Sequence, residues 1–266
     1  MPKGVAVAHG PIALHCQAIT QRYAMDRSTR ELLFMSFAFD GAQERWLSTL
    51  LAGGQLVLRD NRLWTPEETW QALHRHSITI ACFPPAYLQQ LAEYAEGRDN
   101  PPAVHTYCFG GDAVAQSNFE LVKRTLRPRQ LTNGYGPTET VVTPLLWNAA
   151  ADAECGAAYA PIGTAVGARS LYILDPQLNP VPTGVAGELY LGGTELARGY
   201  HRRPGLSAIW CASVPMVSST TSGASTIRSR SVVSASNWVR SKRACASSLA
   251  CVRRWWSPVT AALASN

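Results

Sequence analysis

The segment NGYGPTET, Asn133 to Thr140, brings several kinds of chemistry into a few residues. Gly134 and Gly136 let the backbone approach a ligand closely, and the Tyr135 ring between them offers a stacking face. Thr138 adds a hydroxyl, and Glu139 adds a hard oxygen ligand of the kind a divalent cation takes. Together they could hold a nucleotide and its Mg2+; the same residues would also make a glycine-rich turn with a satisfied threonine. Two further polar places in the sequence invite the same scrutiny, Asp40 and the run Gly110, Gly111, Asp112.

The elements around these residues explain why. TPEETWQALHRH has Thr65 as a helix N-cap, Pro66 at the first helical position, acids in the first turn and basic residues in the last. ITIACF is a short β-branched run stopped by Pro84 and Pro85, and AYLQQLAEYAEG is a second helix ending at Gly97. The strand-like LLFMSFAF, the helix-like ERWLSTLLAG and the strand QLVLRD come before. HTYCFGG, a helix from about Ala115 to Leu126 and QLTNGYG come after. Strands alternating with helices at this spacing predict an α/β fold, a parallel sheet flanked by helices. In such sheets ligands bind beyond the carboxyl ends of the strands, where Asp40, Gly110 to Asp112 and Asn133 to Thr140 fall.

Residues 1–160 form this α/β core in the sequence reading. Residues 161–207 change character: SLYILD and GELYLGG are short strands with turn chemistry in DPQLNPVPTG between them, which predicts a small antiparallel β unit. From 208 to 266 the texture changes again. Fifteen of the last 60 residues are serine and none is acidic, a composition expected to stay disordered.

The net charge of +6 is distributed in the same lopsided way. All 18 acids and 14 of the 24 Lys and Arg residues lie at or before Glu195, so the body carries −4 and the end is purely basic. Seven cysteines form no CxxC pair and no Cys/His metal spacing. With no signal peptide at Met1 and no apolar run of the roughly 18 to 20 residues a membrane span needs, the expectation is a cytoplasmic protein with reduced thiols and no membrane partner.

NGYGPTET resembles the nucleotide-binding motif of the adenylation domains of non-ribosomal peptide synthetases, in the adenylate-forming superfamily. PKGVAVAHG, FAFDGAQERW, FPPAY, FGGDA and GELYLGGTELARGYHRRPG follow that family's order, so the resemblance covers residues 1 to about 207. It implies activation of an amino acid with ATP and Mg2+ to an aminoacyl adenylate, then transfer to the phosphopantetheine thiol of a carrier domain, with condensation domains as further partners. It also implies roles. Tyr135 would stack on adenine, with Gly111, Asp112, Asn133, Gly134 and Gly136 lining the nucleotide site. Thr138 would contact phosphate, Glu139 would hold the metal, and Lys3 would close the phosphate loop. Asp40 would pair with the substrate's α-ammonium; a helix-capping role toward Gln43 is compatible with that. The specificity pocket maps onto Gly41, Glu44, Cys82, Cys108, Gly110, Gly134, Val142 and Thr143. A carboxylate at Glu44 in an otherwise small, neutral pocket points to a cationic, ornithine-like side chain, with Gly41, Gly110 and Gly134 leaving room for its length. His9, His74 and His76 receive no catalytic role.

The resemblance breaks twice. The family's Ser/Thr/Gly-rich phosphate loop and a whole subdomain precede PKGV, and a YRTGD motif, a hinge and a C-terminal subdomain with a catalytic lysine follow GLSA; neither set is in the chain. Codon arithmetic accounts for what stands there instead. The family stretch DHQVKVRGFRIELGEIEAR, read one nucleotide later with ordinary codons, gives TIRSRSVVSASNWVRSKR followed by Ala, as at residues 226–244. The same shift turns GVREAVVVARDG into ACVRRWWSPVTA, as at 250–261, and DLVR into WCA, as at 210–212. On this reading the chain carries a family core with little of the full reaction, and an out-of-frame tail. Two alternatives stand beside it. An acyl-CoA or aryl-acid ligase of the same superfamily would leave Asp40 without an ammonium partner, and a nucleic-acid-binding protein would use the basic tail with salt-dependent affinity, whereas the expectation here is no nucleic-acid partner. The nucleotide sequence checks the out-of-frame reading: restoring the frame after Ser207 should yield the DHQVK motif, and its absence sinks the idea.

Overall fold

The structure, a computed structural model, describes residues 4–203, 214–219 and 225–227. Its centre is a seven-stranded sheet in the order β3-β2-β4-β5-β6-β7-β8. The five strands β2 (Arg30–Leu33), β3 (Gln55–Leu58), β4 (Ile80–Cys82), β5 (Thr106–Gly110) and β6 (Gln130–Tyr135) pair in parallel. β7 (Leu145–Ala150) and β8 (Thr164–Ala165) add to it antiparallel, so the sheet is mixed at one edge.

Helices cover both faces, and strand alternation decides which side chain meets which helix. Ala81, Tyr107, Phe109 and Leu131 point to one core, shared with Leu73 of α3 (Pro66–Arg75), Leu88 and Leu91 of α4 (Pro85–Ala95), and Phe119 and Leu126 of α5 (Gln116–Leu126). Their neighbours Ile80, Cys108 and Leu146 point the other way, to Ile19 of α1 (His9–Arg22) and to Tyr23 just after it. Burying each such side chain contributes about 1.5–3 kcal/mol. α3 starts as its sequence dictates: the Thr65 hydroxyl accepts from the Glu68 amide and the Glu68 carboxylate accepts from the Thr65 amide, a complete capping box. α2 (Asp40–Leu51) lies beside α1.

The strand read from LLFMSFAF is shorter than expected. β2 ends at Leu33, because its inner neighbour β4 pairs only with Glu31 and Leu32 before Pro84 and Pro85 stop it. Residues 34–39 turn instead, with the Phe39 amide donating to the Ser36 carbonyl.

A two-stranded pair joins β1 (Val5–Ala6) to β11 (Gly199–Tyr200). A second, antiparallel sheet runs β13-β12-β10-β9, built from β9 (Arg169–Leu174), β10 (Ala186–Gly193), β12 (Val214–Ser219) and β13 (Ser225–Ile227). Its last two strands fall in the stretch read from composition as tail. Their pairing is made by backbone groups, which a serine-rich sequence supplies like any other. The rest of that stretch lies outside the described residues.

At the carboxyl ends of β5 and β6 the backbones come so close that a Cβ on Gly110 would sit 2.3 Å from the Gly134 carbonyl oxygen. Gly110→Ala should therefore cost about 1–3 kcal/mol of stability in a urea titration, the usual range for overpacking.

Candidate active site

The parallel register brings the predicted residues to one end of the sheet. Cys82 pairs with Cys108, Cys108 with Thr132, and Gly110 with Gly134, so Cys82, Cys108, Gly110 and Gly134 share the face that carries α1 and α2. Asp40 opens α2 at the same end, where the helix dipole favours its charge. Its carboxylate accepts from the neighbouring Gly41 amide, not from Gln43, so the capping role read from the sequence is not the one built. Contact with the Cys108 thiol and burial raise the Cys82 thiol, and both cysteines are free.

The glycines do not leave the space expected of them. The missing side chain of Gly110 is replaced by the Gly134 carbonyl, that of Gly41 by the Met35 methyl at 3.2 Å, and that of Gly134 by the Thr143 methyl at 3.2 Å. They are glycine because the protein itself fills the position.

Glu44 departs further from expectation. It is buried, and its two oxygens are taken: Oε2 lies 2.6 Å from His15 Nε2, and Oε1 accepts from Arg45 Nη2 at 3.0 Å. Arg45 is buried as well, 3.4 Å from Glu31, stacked over the Tyr23 ring and with Nη1 3.8 Å from Cys108 Sγ. Glu31 in turn accepts a short hydrogen bond from the Thr49 hydroxyl. Burial alone would raise the Glu44 carboxyl; the charge of Arg45 and the hydrogen bond from His15 outweigh it and bring it down to about 2. Glu44 is thus anionic and has partners within the protein, Arg45 and His15, so its surroundings are not the otherwise neutral pocket expected from the sequence.

The segment Asn133 to Thr140 is half strand and half turn. Asn133 to Tyr135 still belong to β6, and the Asn133 amide is spent on the Pro161 carbonyl at 2.8 Å. The Tyr135 ring packs against Leu145, Ile162, Leu189 and Leu191 while staying half-buried, and burial pushes its hydroxyl up to about 12. Gly136 could carry no side chain, since a Cβ would sit 2.0 Å from Pro144 Cδ. A single 3₁₀ turn, Thr138–Thr140, then leaves Thr138 exposed and Glu139 half-buried. The Glu139 carboxylate accepts a short hydrogen bond from the Tyr200 hydroxyl, and its backbone carbonyl accepts from the Ala197 amide at 3.1 Å. Val141 and Val142 follow with φ of 61° and 63°, where a β-branched residue is strained by about 1–2 kcal/mol. Gly111, also at positive φ, and Asp112 are exposed beyond β5, with the Asp112 carboxylate accepting from the Ala113 amide. Lys3 lies outside the described residues.

The model of the family described as AMP-binding enzyme matches residues 1–201. The chain belongs to the AMP-binding enzyme family. A linear gramicidin synthase of Brevibacillus parabrevis is 36% identical over 209 residues, covering 78% of this chain and 2% of that protein. The malpinin synthetase of Mortierella alpina is 31% identical over 208 residues, covering 78% and 3%. Among solved structures, the peptide synthetase FmoA3 superposes with a TM-score of 0.78 at 23% identity, over 86% of this chain and 26% of that one. The four-domain synthetase AB3403, solved with AMP and glycine, gives 0.74 at 28% identity, over 86% and 18%. The chain thus spans a small part of the synthetases it resembles.

Within this AMP-binding fold, the sequence reading missed His15, Glu31, Arg45, Tyr200, Arg169 and Glu195. One signal for Arg45 was present. Helix α2 buries Arg45, Ser48 and Thr49 and exposes Leu50 and Leu51, an inverted amphipathic pattern that a polar core cluster would produce.

Because the folded Glu44 value lies below the ordinary 4.5, its stabilisation is complete above about pH 4.5 and is lost as pH falls toward about 2. Glu31, raised by burial, runs the opposite way. Glu44→Gln should cost about 3–5 kcal/mol near neutrality, the usual cost of breaking a buried pair. Denaturant titrations at stepped pH should show that deficit narrowing through the same acid window.

Proposed function

We propose that this chain carries the nucleotide- and amino-acid-binding face of a peptide synthetase adenylation domain. In the reaction a carboxylate oxygen of the amino acid attacks the α-phosphorus of ATP, the bond to the β-phosphate breaks, and aminoacyl-AMP and pyrophosphate result. A carrier domain's phosphopantetheine thiol then takes the acyl group and releases AMP. The observation that carries the reading is the Asn133–Thr140 segment at the carboxyl end of β6, with Thr138 exposed and the Glu139 carboxylate fixed by Tyr200. The AMP and glycine bound to the structural neighbour AB3403 support it.

The residues fit the cofactors the family implies. Among the described residues no three His, Cys, Asp or Glu side chains converge on a metal cage. Mg2+ needs none when phosphates supply its other ligands, and one carboxylate, Glu139, is enough. Bound there, the ion would neutralise charge on the phosphates. Tyr135, Gly111 and Asp112 line the adenine side, Thr138 reaches phosphate, and Asp40 holds the substrate ammonium, which also separates this reading from an acid ligase without an amine. Cys82, Cys108, Val142 and Thr143 surround the substrate side chain. With both Glu44 oxygens engaged by His15 and Arg45, an uncharged side chain fits better there than an ornithine-like one. The similarity to large synthetases, one of them solved as four domains, supports partner carrier and condensation domains. Among the described residues no helix is long and apolar enough to cross a membrane.

Equilibrium binding on the full chain tests this. MgATP should bind saturably and lose about tenfold or more in affinity with Tyr135→Ala, a stacking loss of about 1–3 kcal/mol by analogy with base–aromatic platforms. Asp40→Asn should abolish amino-acid binding and leave MgATP affinity unchanged. A folded chain that ignores MgATP into the millimolar range overturns the proposal.

A further inference from the structure

The turn that presents Thr138 and Glu139 is only partly held by its own hydrogen bonds. Its hydrogen bonds are the Thr140 amide and hydroxyl to the Pro137 carbonyl and the Val141 amide to the Thr138 carbonyl. Beyond it the backbone passes through two successive left-handed valines. The carbonyls of Thr140 and Val141 look into the protein, and there they meet Arg169, the first residue of β9.

Every nitrogen of that guanidinium is used. Nε and Nη2 donate to the Thr140 carbonyl at 3.3 and 3.2 Å, and Nη2 also donates to the Val141 carbonyl at 3.1 Å. Nη1 donates to the Val166 carbonyl at 2.8 Å and to Glu195 Oε2 at 2.9 Å. Glu195, just past β10, is itself fixed by the Ala168 amide at 2.8 Å. Both side chains are almost fully buried, 0% and 3% exposed. The same strand exit continues to Ala197 and Tyr200, which hold the Glu139 carbonyl and carboxylate. A lysine has one point charge and could not reach carbonyls on two sides of the planar fork at once.

We propose that Arg169, oriented by Glu195, is a positioning residue that clamps residues 138–142 in their left-handed course, so that the small antiparallel sheet sets where Thr138 and Glu139 meet the nucleotide phosphates. The proposal rests on the nucleotide-binding reading for its consequence, and on the geometry of the clamp for its substance. It makes the β9–β10 hairpin part of the site without either residue touching the ligand.

The test uses the full chain and two readouts. Removing one partner would leave a buried charge unpaired, so the informative variant is Arg169→Met with Glu195→Leu, which replaces the pair by apolar side chains. Hydrogen exchange of peptides spanning residues 137–143 should accelerate at least about tenfold in the double variant, while peptides from β2, β4 and β5 keep their protection. MgATP affinity should fall by about tenfold or more, with Arg169→Lys recovering only part of each effect. Unchanged exchange at 137–143 overturns the clamp, and so does a uniform loss of protection across the large sheet. If the wild-type chain binds no MgATP, the nucleotide reading fails, and the exchange experiment still decides the clamp. Should the double variant fail to fold, Arg169→Lys, which keeps a cation beside Glu195, replaces it, with faster exchange at 137–143 expected and unchanged exchange again counting against.

Discussion

A buried guanidinium dictates where α2 can lie. Arg45 sits 1% exposed beneath the sheet's α1/α2 face, with Glu31 of β2, Glu44 of its own helix and the Tyr23 ring around it, and His15 of α1 completing Glu44. Such a cluster is not a large net source of stability, since desolvation consumes most of the Coulombic gain. Its effect is on alternatives. Turning or sliding α2 by one residue would leave a charge buried without a partner, at a cost far above that of misplacing a leucine. Asp40, at the first turn of the helix, inherits its position from that constraint.

The same device recurs at the other side of the site with a different partner set. Arg45 is satisfied mainly by carboxylates, whereas Arg169 is satisfied mainly by backbone carbonyls that the 138–142 turn cannot satisfy within itself. One guanidinium fixes a helix and the other fixes a loop. The two elements that would meet the substrate and the nucleotide are thus each held from behind by a planar fork of donors. A point charge on a flexible stem would hold neither as narrowly.

The sequence made some of this legible and hid the rest for a physical reason. The Thr65 capping box, the stop at Pro84 and Pro85 and the alternation of helix and strand are local codes, and the structure follows them. NGYGPTET could be singled out as a candidate ligand segment because glycines, an aromatic ring and a carboxylate are close in the chain. Partners distant in sequence were not. His15 and Glu44 are 29 residues apart, and Glu139 and Tyr200 are 61 apart. Periodicity says that a position is buried but not what it meets, and a charged residue in an apolar stretch reads as exposed until its counter-charge is found. That is why Glu44 looked available to a ligand when Arg45 and His15 had already claimed it. The glycines misled in the complementary way, since an absent side chain reads as space, and here neighbouring atoms of the chain occupy it.

Val141 shows how a strained turn can still be the stable one. Glycine would relieve the positive φ at this position, yet Val141 is 1% exposed. Burying a valine contributes about 1.5–3 kcal/mol, against about 1–2 kcal/mol of left-handed strain. The side chain therefore holds the backbone in the unfavourable region, and Arg169 collects the carbonyls that this course directs inward. Relaxing the turn would expose the valine and strand the guanidinium together. The geometry of Thr138 and Glu139 is then the consequence of two buried groups, Val141 and Arg169, that have nowhere better to go.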